Sequence, residues 1–286
     1  MVDQADNLRK MVNSKNKVKC RAIAVTSGKG GVGKTNIIVN LGLLLNSVGK
    51  NVLLFDADLG LSNVDILLGL KTKYSLSDVS KGKKKLEDIV VNVKKGFNII
   101  PAGNGFEDIA NIDLSMFNKI KNEMDSLIKD VDILLIDTGA GISKKVTLFL
   151  KGADEVIVVV TPEPTSIADA YAMIKILTLN YKKDNLKLFV NMTKNEQEAN
   201  SVYENINKIC EKFLKKTVDN IGYAVYDKNV PITVKRQKAI VQLNPNSNFS
   251  ISMKKMTNNL FSESIKIHDN PIARFFSSLL GQKNSR

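Results

Sequence analysis

The chain has no tryptophan, one histidine and two cysteines among its 286 residues, and each scarcity closes off a class of chemistry. His268 is the only imidazole and lies in a polar stretch near the C-terminal end, so a Ser-His-Asp triad has little to build on and an H-E-x-x-H zinc site is impossible. Cys20 and Cys210 stand singly, which excludes a disulfide framework or a four-cysteine metal site within one chain and leads us to expect a reducing cytoplasm. Long apolar runs are missing as well. Val131–Ile136 and Val156–Val160 fall far short of the ~20 residues that span a bilayer as a helix, and the first twenty residues lack the apolar core of an export signal. Any membrane contact is expected to be peripheral. Carboxylates are the minority charge, 29 against 42 Lys+Arg for a net of +13; this suggests nucleic acid or an anionic leaflet as partner, or a compositional bias. A hydrophobic fraction of 43% is enough for a sizeable core in one large or two small domains.

Short β-branched or aliphatic runs recur between turn residues: Arg21–Thr26, Asn51–Phe55, Phe97–Ile100, Asp132–Ile136, Glu155–Val160 and Lys187–Val190, with a further candidate at Asn220–Val225. They read as buried strands. Between them Thr35–Ser47, Leu114–Ile128, Ile167–Leu179 and Glu196–Phe213 have helical character, while Tyr226–Val241 mixes turn and helix signals. Alternation of this kind predicts an α/β fold: a mostly parallel, twisted sheet with helices on both faces. The expected organisation is a polar, basic arm over 1–19, a core domain over 20–243, a polar linker and extension over 244–270, and a terminal helix over 271–286.

Directly after the first strand, Gly28-Lys29-Gly30-Gly31-Val32-Gly33-Lys34-Thr35 satisfies G-x-x-x-x-G-K-[ST] and runs into a helix. In that context glycines let backbone N–H groups wrap phosphates, Lys34 bridges the terminal phosphates and Thr35 offers a hydroxyl to Mg²⁺. Asp56 and Asp58 end the second strand, and Asp137 ends the aliphatic run Asp132–Ile136 ahead of Thr138-Gly139-Ala140-Gly141. Carboxylates at strand ends beside a phosphate loop can hold the shell of a metal ion or position an attacking water. Phosphoryl transfer works by charge and positioning, so the missing histidines are no obstacle.

The set K-G-G-V-G-K-T with D-A-D resembles the deviant Walker A ATPases of the MinD/ParA family, a branch of the P-loop NTPases. The resemblance implies ATP/ADP and Mg²⁺ as cofactors. It also implies an ATP-sandwich homodimer in which Lys29 reaches the partner's nucleotide, Asp56 on the Mg²⁺ side, Asp58 on the attacking water and Asp137 on a Mg²⁺-bound water. For the base it implies Asn191 and Asp227, and Asn36 follows the loop where other branches usually carry a second hydroxyl. The stretch Asp56–Gly69 looks most like the flagellar-number branch (FlhG, YlxH or FleN), with MinD close behind.

The two ends of the chain bear on that choice. Asp3-Gln4-Ala5-Asp6-Asn7-Leu8-Arg9 resembles the D-Q-A-x-x-L-R segment of FlhG, which docks on the GTPase FlhF and stimulates it; Asp3, Gln4, Ala5, Leu8 and Arg9 are the implied contacts. Near the other end Ile272, Phe275, Phe276, Leu279 and Leu280 make one apolar helical stripe with Lys266, Arg274, Lys283 and Arg286 around it. It suits a terminal helix packed on the core or, as the resemblance implies, a helix on anionic lipid. The expectation is a slow, Mg²⁺-dependent ATPase switch, cytoplasmic when empty or ADP-bound and peripheral on the inner face of the membrane with ATP. It would act on FlhF and on flagellar C-ring or regulatory proteins, with nucleic acid not expected as a partner. MinD-type septum placement and ParA-type DNA partition are the rivals; the iron–sulfur carriers of the superfamily rank last because their paired cysteines are missing.

Overall fold

The computed structural model describes residues 20–58, 64–101 and 114–262. Its centre is an eight-stranded sheet: β1 (Arg21–Ser27), β2 (Val52–Ala57), β3 (Val91–Lys94), β4 (Phe97–Pro101), β5 (Ile133–Ala140), β6 (Glu155–Val160), β7 (Leu186–Thr193) and β8 (Asp219–Val225). The strands lie in the order β3-β4-β2-β5-β1-β6-β7-β8. All neighbours are parallel except β3, which pairs antiparallel with β4 and closes one edge. Every residue of β1, β2 and β6 is buried, as expected for parallel strands covered on both faces.

Alternate residues feed two apolar layers. Ala22, Ala24, Phe55, Ile136, Val158 and Leu188 face one, which is covered by α3 (Leu76–Ser80), α4 (Leu86–Ile89), α5 (Leu114–Leu127), α6 (Lys144–Gly152), α7 (Pro164–Tyr181) and α8 (Glu196–Leu214). Ile23, Val25, Leu54, Leu135, Ile157 and Phe189 face the other. That layer is covered by α1 (Lys34–Ser47), α2 (Val64–Leu68), α9 (Asn229–Lys235), α10 (Ile240–Leu243) and α11 (Asn248–Ser262). The predicted strands and the four long helices are present, shifted by a few residues at their ends. The edge strand β3 and the short helices α2, α3, α4 and α6 were not anticipated.

One expectation is corrected. Residues 244–259, read as a polar linker, lie largely in α11, and the core extends through it. Phe249, Met253, Met256 and Leu260 recur at helical spacing and are at most 3% exposed, while Lys254, Lys255, Asn258 and Asn259 face outward and the buried Ser250 and Thr257 hydroxyls donate to the Asn244 and Met253 carbonyls. Four apolar side chains among many polar ones hide an amphipathic helix from a compositional reading. The last turn of α11 is tied to the first residue of β1: Arg21 Nη2 donates to the Leu260 carbonyl at 2.7 Å and to Glu155 at 2.9 Å, and the guanidinium stands 4.3 Å from the centre of the Phe261 ring. The expected contacts of the arm (Asp3, Gln4, Ala5, Leu8, Arg9) and of the terminal stripe (Ile272, Phe275, Phe276, Leu279, Leu280) lie outside the described residues.

Candidate nucleotide and metal site

The C-terminal ends of β1, β2, β5, β6 and β7 meet at one end of the sheet. There the loop from Gly28 to Gly33 joins β1 to α1, and two of its glycines, Gly31 (φ 78) and Gly33 (φ 93), hold left-handed backbone that other residues adopt at a cost. Space is as demanding as conformation. A Cβ on Gly28 would overlap the backbone of Asp169 on α7, and one on Gly33 would come within 2.5 Å of Asn191 Nδ2. The first turn of α1 has no side-chain cap and no acidic residue, so its N–H groups and the positive end of the helix dipole face the loop unopposed.

Lys34 is buried at the start of α1 and its ammonium donates to Ser27 Oγ at 3.0 Å. Burial pulls its pKa below the ordinary lysine value, against the opposing pull of the Asp137 and Asp58 carboxylates. Asp56 and Asp137 are paired residues of neighbouring strands, each 1% exposed. Asp56 accepts the Asp58 backbone N–H at 3.1 Å. Neither oxygen of Asp137 has a well-formed hydrogen bond among the described residues. Burial, then the Asp56 carboxylate, pushes Asp137 up to about 8, while the nearby Thr35 hydroxyl and Lys34 ammonium favour its charged form. A buried carboxylate with no well-formed hydrogen bond, beside a hydroxyl and a second carboxylate, is the kind of site a hard divalent cation fits. Asp58 is half-buried and adjoins the end of β5, where a Cβ on Gly139 would lie 3.2 Å from its Oδ1. The Gly141 N–H donates to the Ser27 carbonyl at 2.9 Å and the Thr138 hydroxyl to the Val25 carbonyl at 3.0 Å, tying this segment to the phosphate-loop strand.

Lys29 turns toward α7 of its own chain. Its ammonium pairs with Glu163 and donates to Thr165 Oγ1 at 3.1 Å. Sequence reading did not single out Glu163, Thr165 or Asp169; the only signal was Pro164, which suits the start of α7. Asn191 is buried near the end of β7, and its amide donates to the Val32 carbonyl at 2.8 Å, fastening the strand to the loop. Asn36 is half-buried in the first turn of α1, where its carbonyl accepts from Asn40 Nδ2. Asp227, just beyond β8, accepts from the Asn229 backbone and side-chain amides at 2.9 Å each and from the Phe249 N–H at 3.3 Å. Burial pushes its pKa up, but those donors outweigh it and hold the carboxyl below the usual range. Its oxygens thus anchor the starts of α9 and α11.

Comparison with known proteins agrees with this geometry. The family model described as an AAA domain matches residues 20–192. The chain is 36% identical to the antiactivator FleN of Pseudomonas aeruginosa, over 92% of this chain and 94% of that protein. It is 34% identical to the flagellum site-determining protein YlxH of Helicobacter pylori, over 96% of each. Among solved structures, MinD from the MinC:MinD cell division complex of Aquifex aeolicus superposes with a TM-score of 0.71 at 32% identity, covering 87% of this chain and 99% of that one. The phosphate loop, its aspartates and these likenesses together place the chain in the MinD/ParA family of deviant Walker A ATPases, alongside FleN and YlxH.

Proposed function

We propose that this protein binds and hydrolyses ATP as a slow, Mg²⁺-dependent switch that sets flagellar number or placement. The observation that carries the reading is the buried Asp137 carboxylate, without a well-formed hydrogen bond among the described residues, beside the Lys34 and Thr35 that follow a glycine loop too tight for any side chain at Gly28. Likeness to FleN and YlxH over nearly the whole chain supports the flagellar role.

In this reading Gly28, Lys29, Gly30, Gly31, Val32, Gly33, Lys34 and Thr35 cradle the phosphates, helped by the uncapped start of α1. Thr35, with Asp56 and Asp137 through water, would hold Mg²⁺. When bound, the ion supplies positive charge to the phosphoryl oxygens. Lys34, desolvated and held by Ser27, meets the negative charge that develops on the γ-phosphoryl group, and Asp58 orients the attacking water. Asn191 and the segment that Asp227 anchors flank the base. Lys29 leaves Glu163 to reach the nucleotide of a second copy, which makes ATP binding and dimerisation one event. Two copies of the terminal helix then act together on anionic lipid through effective concentration. The arm carrying Gln4 would stimulate FlhF.

A septum-placement reading has its own support in 32% identity to MinD of Bacillus subtilis over 86% of this chain. Measuring FlhF GTP hydrolysis with the full chain and with a chain lacking residues 1–11 separates the two. The flagellar reading expects stimulation that disappears with the arm; equal rates in both would refute it. Phosphate release from ATP by the full chain, lost in Lys34→Ala, tests the ATPase itself.

A further inference from the structure

Ser27 is the last residue of β1 and is wholly buried. Its backbone is fixed from the strand side: it pairs with Ala140 of β5, and its carbonyl accepts the Gly141 N–H at 2.9 Å. Its hydroxyl stands between the two lysines of the phosphate loop. Lys34 Nζ donates to Ser27 Oγ at 3.0 Å, and Ser27 Oγ donates to the Lys29 carbonyl at 2.6 Å. The direction of this chain is forced, because an ammonium only donates and a carbonyl only accepts. A hydroxyl has a single hydrogen, so with that hydrogen given to Lys29 it can offer Lys34 nothing but a lone pair. The bond to Lys29 also holds the loop where packing leaves off. Gly28 is set against Asp169 and Gly33 against Asn191, whereas a Cβ on Gly30 or Gly31 would meet no described atom within 4 Å.

We infer that Ser27 is a positioning residue for phosphoryl transfer: its hydroxyl, oriented by the Lys29 carbonyl, aims the Lys34 ammonium at the terminal phosphate. The inference rests on the proposal that the site hydrolyses ATP. A lysine ammonium is a point charge on a flexible four-carbon stem, and holding one of its three hydrogens narrows where the other two can point. A donor aimed in advance costs no reorganisation when charge develops in the transition state, so the gain falls on turnover more than on binding.

The test is steady-state phosphate release by the full chain with Mg²⁺ and ATP, comparing the parent with Ser27→Ala and Ser27→Thr. Ser27→Ala removes one oxygen and keeps the backbone bond to Gly141, so its thermal melt should match the parent. Its kcat is expected to fall by about tenfold or more while KM for ATP stays within about threefold, the pattern of a displaced transition-state group rather than of a lost binding contact. Ser27→Thr keeps the hydroxyl and should hold kcat within about threefold of the parent. A rise in KM that accounts for the whole loss would make Ser27 a ground-state contact and overturn the inference. So would a Ser27→Thr chain that melts with the parent and is as slow as Ser27→Ala. An active parent with an equally fast Ser27→Ala refutes the role of Ser27 alone; a parent that releases no phosphate refutes the ATPase reading with it.

Discussion

The Lys29 ammonium is paired with the Glu163 carboxylate of its own chain, with the Thr165 hydroxyl 3.1 Å away. In the proposed dimer that ammonium must serve the other subunit, so the pair competes with assembly. With side-chain exposures of 39% and 63% the pair is well solvated, and exposed pairs of this sort are worth about 0.2–1 kcal/mol. Each dimer breaks two such pairs, so Glu163→Gln should tighten ATP-dependent dimerisation by no more than roughly thirtyfold. Sedimentation equilibrium in a background with hydrolysis blocked would show it; weaker dimerisation would mean that Glu163 supports the assembled state instead.

The Asp58 side chain lies against Gly139 while its backbone N–H donates to Asp56 at 3.1 Å, and in the proposed mechanism it orients the attacking water. Asp58→Ala should keep ATP affinity within a few fold and cut turnover by roughly a hundredfold or more, the usual loss when one transition-state partner is removed. A parallel loss of affinity would reassign Asp58 to ground-state binding.

Much of this site could be read in the sequence because a phosphate loop is a local device. Spacing from Gly28 to Thr35 and an aspartate after an aliphatic run carry the mechanism wherever the fold places them. The cis partner of Lys29 could not be read in this way, since Glu163 lies 134 residues away and meets it only because β1 and β6 are neighbours. The exposed, left-handed Met192 was equally hidden, because no residue pattern announces the slip in pairing of β7 with β8. The helix α11 was missed because its buried positions are few, although their spacing was present in the sequence.

That helix gives a stability prediction. A chain ending at Leu243 loses the burial of Phe249, Met253, Met256 and Leu260, each worth about 1.5–3 kcal/mol. It should fail to show cooperative urea unfolding, whereas a chain ending at Ser262 should unfold cooperatively. Native-like unfolding of the shorter chain would return α11 to the status of an appendage.

Arg21 and Glu155 are almost wholly buried, and Arg21 also holds the Leu260 carbonyl. Removing one partner leaves an uncompensated buried charge, so Arg21→Met should cost about 3–5 kcal/mol in denaturant unfolding. Adding Glu155→Leu should recover part of that loss. A single variant as stable as the parent would mean that water reaches the pair.

The two thiols should be inert in the folded protein. Burial first, then the Asp154 carboxylate, raises Cys20 from 9.0 to about 12, and burial raises Cys210 to about 11. A thiol-exchange reagent at pH 8 is expected to label neither until the chain unfolds, then both. Because the folded pKa of Cys20 exceeds the unfolded one, its contribution to stability is complete below pH 9 and is lost as pH rises toward 12. Rapid labelling of the native protein would contradict the burial.

The account stands on ATP controlling attachment to a membrane, and co-sedimentation with anionic liposomes tests that most directly. The full chain should pellet with ATP and stay in solution with ADP, and a chain ending at Asp269 should stay in solution with both. Equal pelleting with ATP and ADP, or none with either, would contradict the switch.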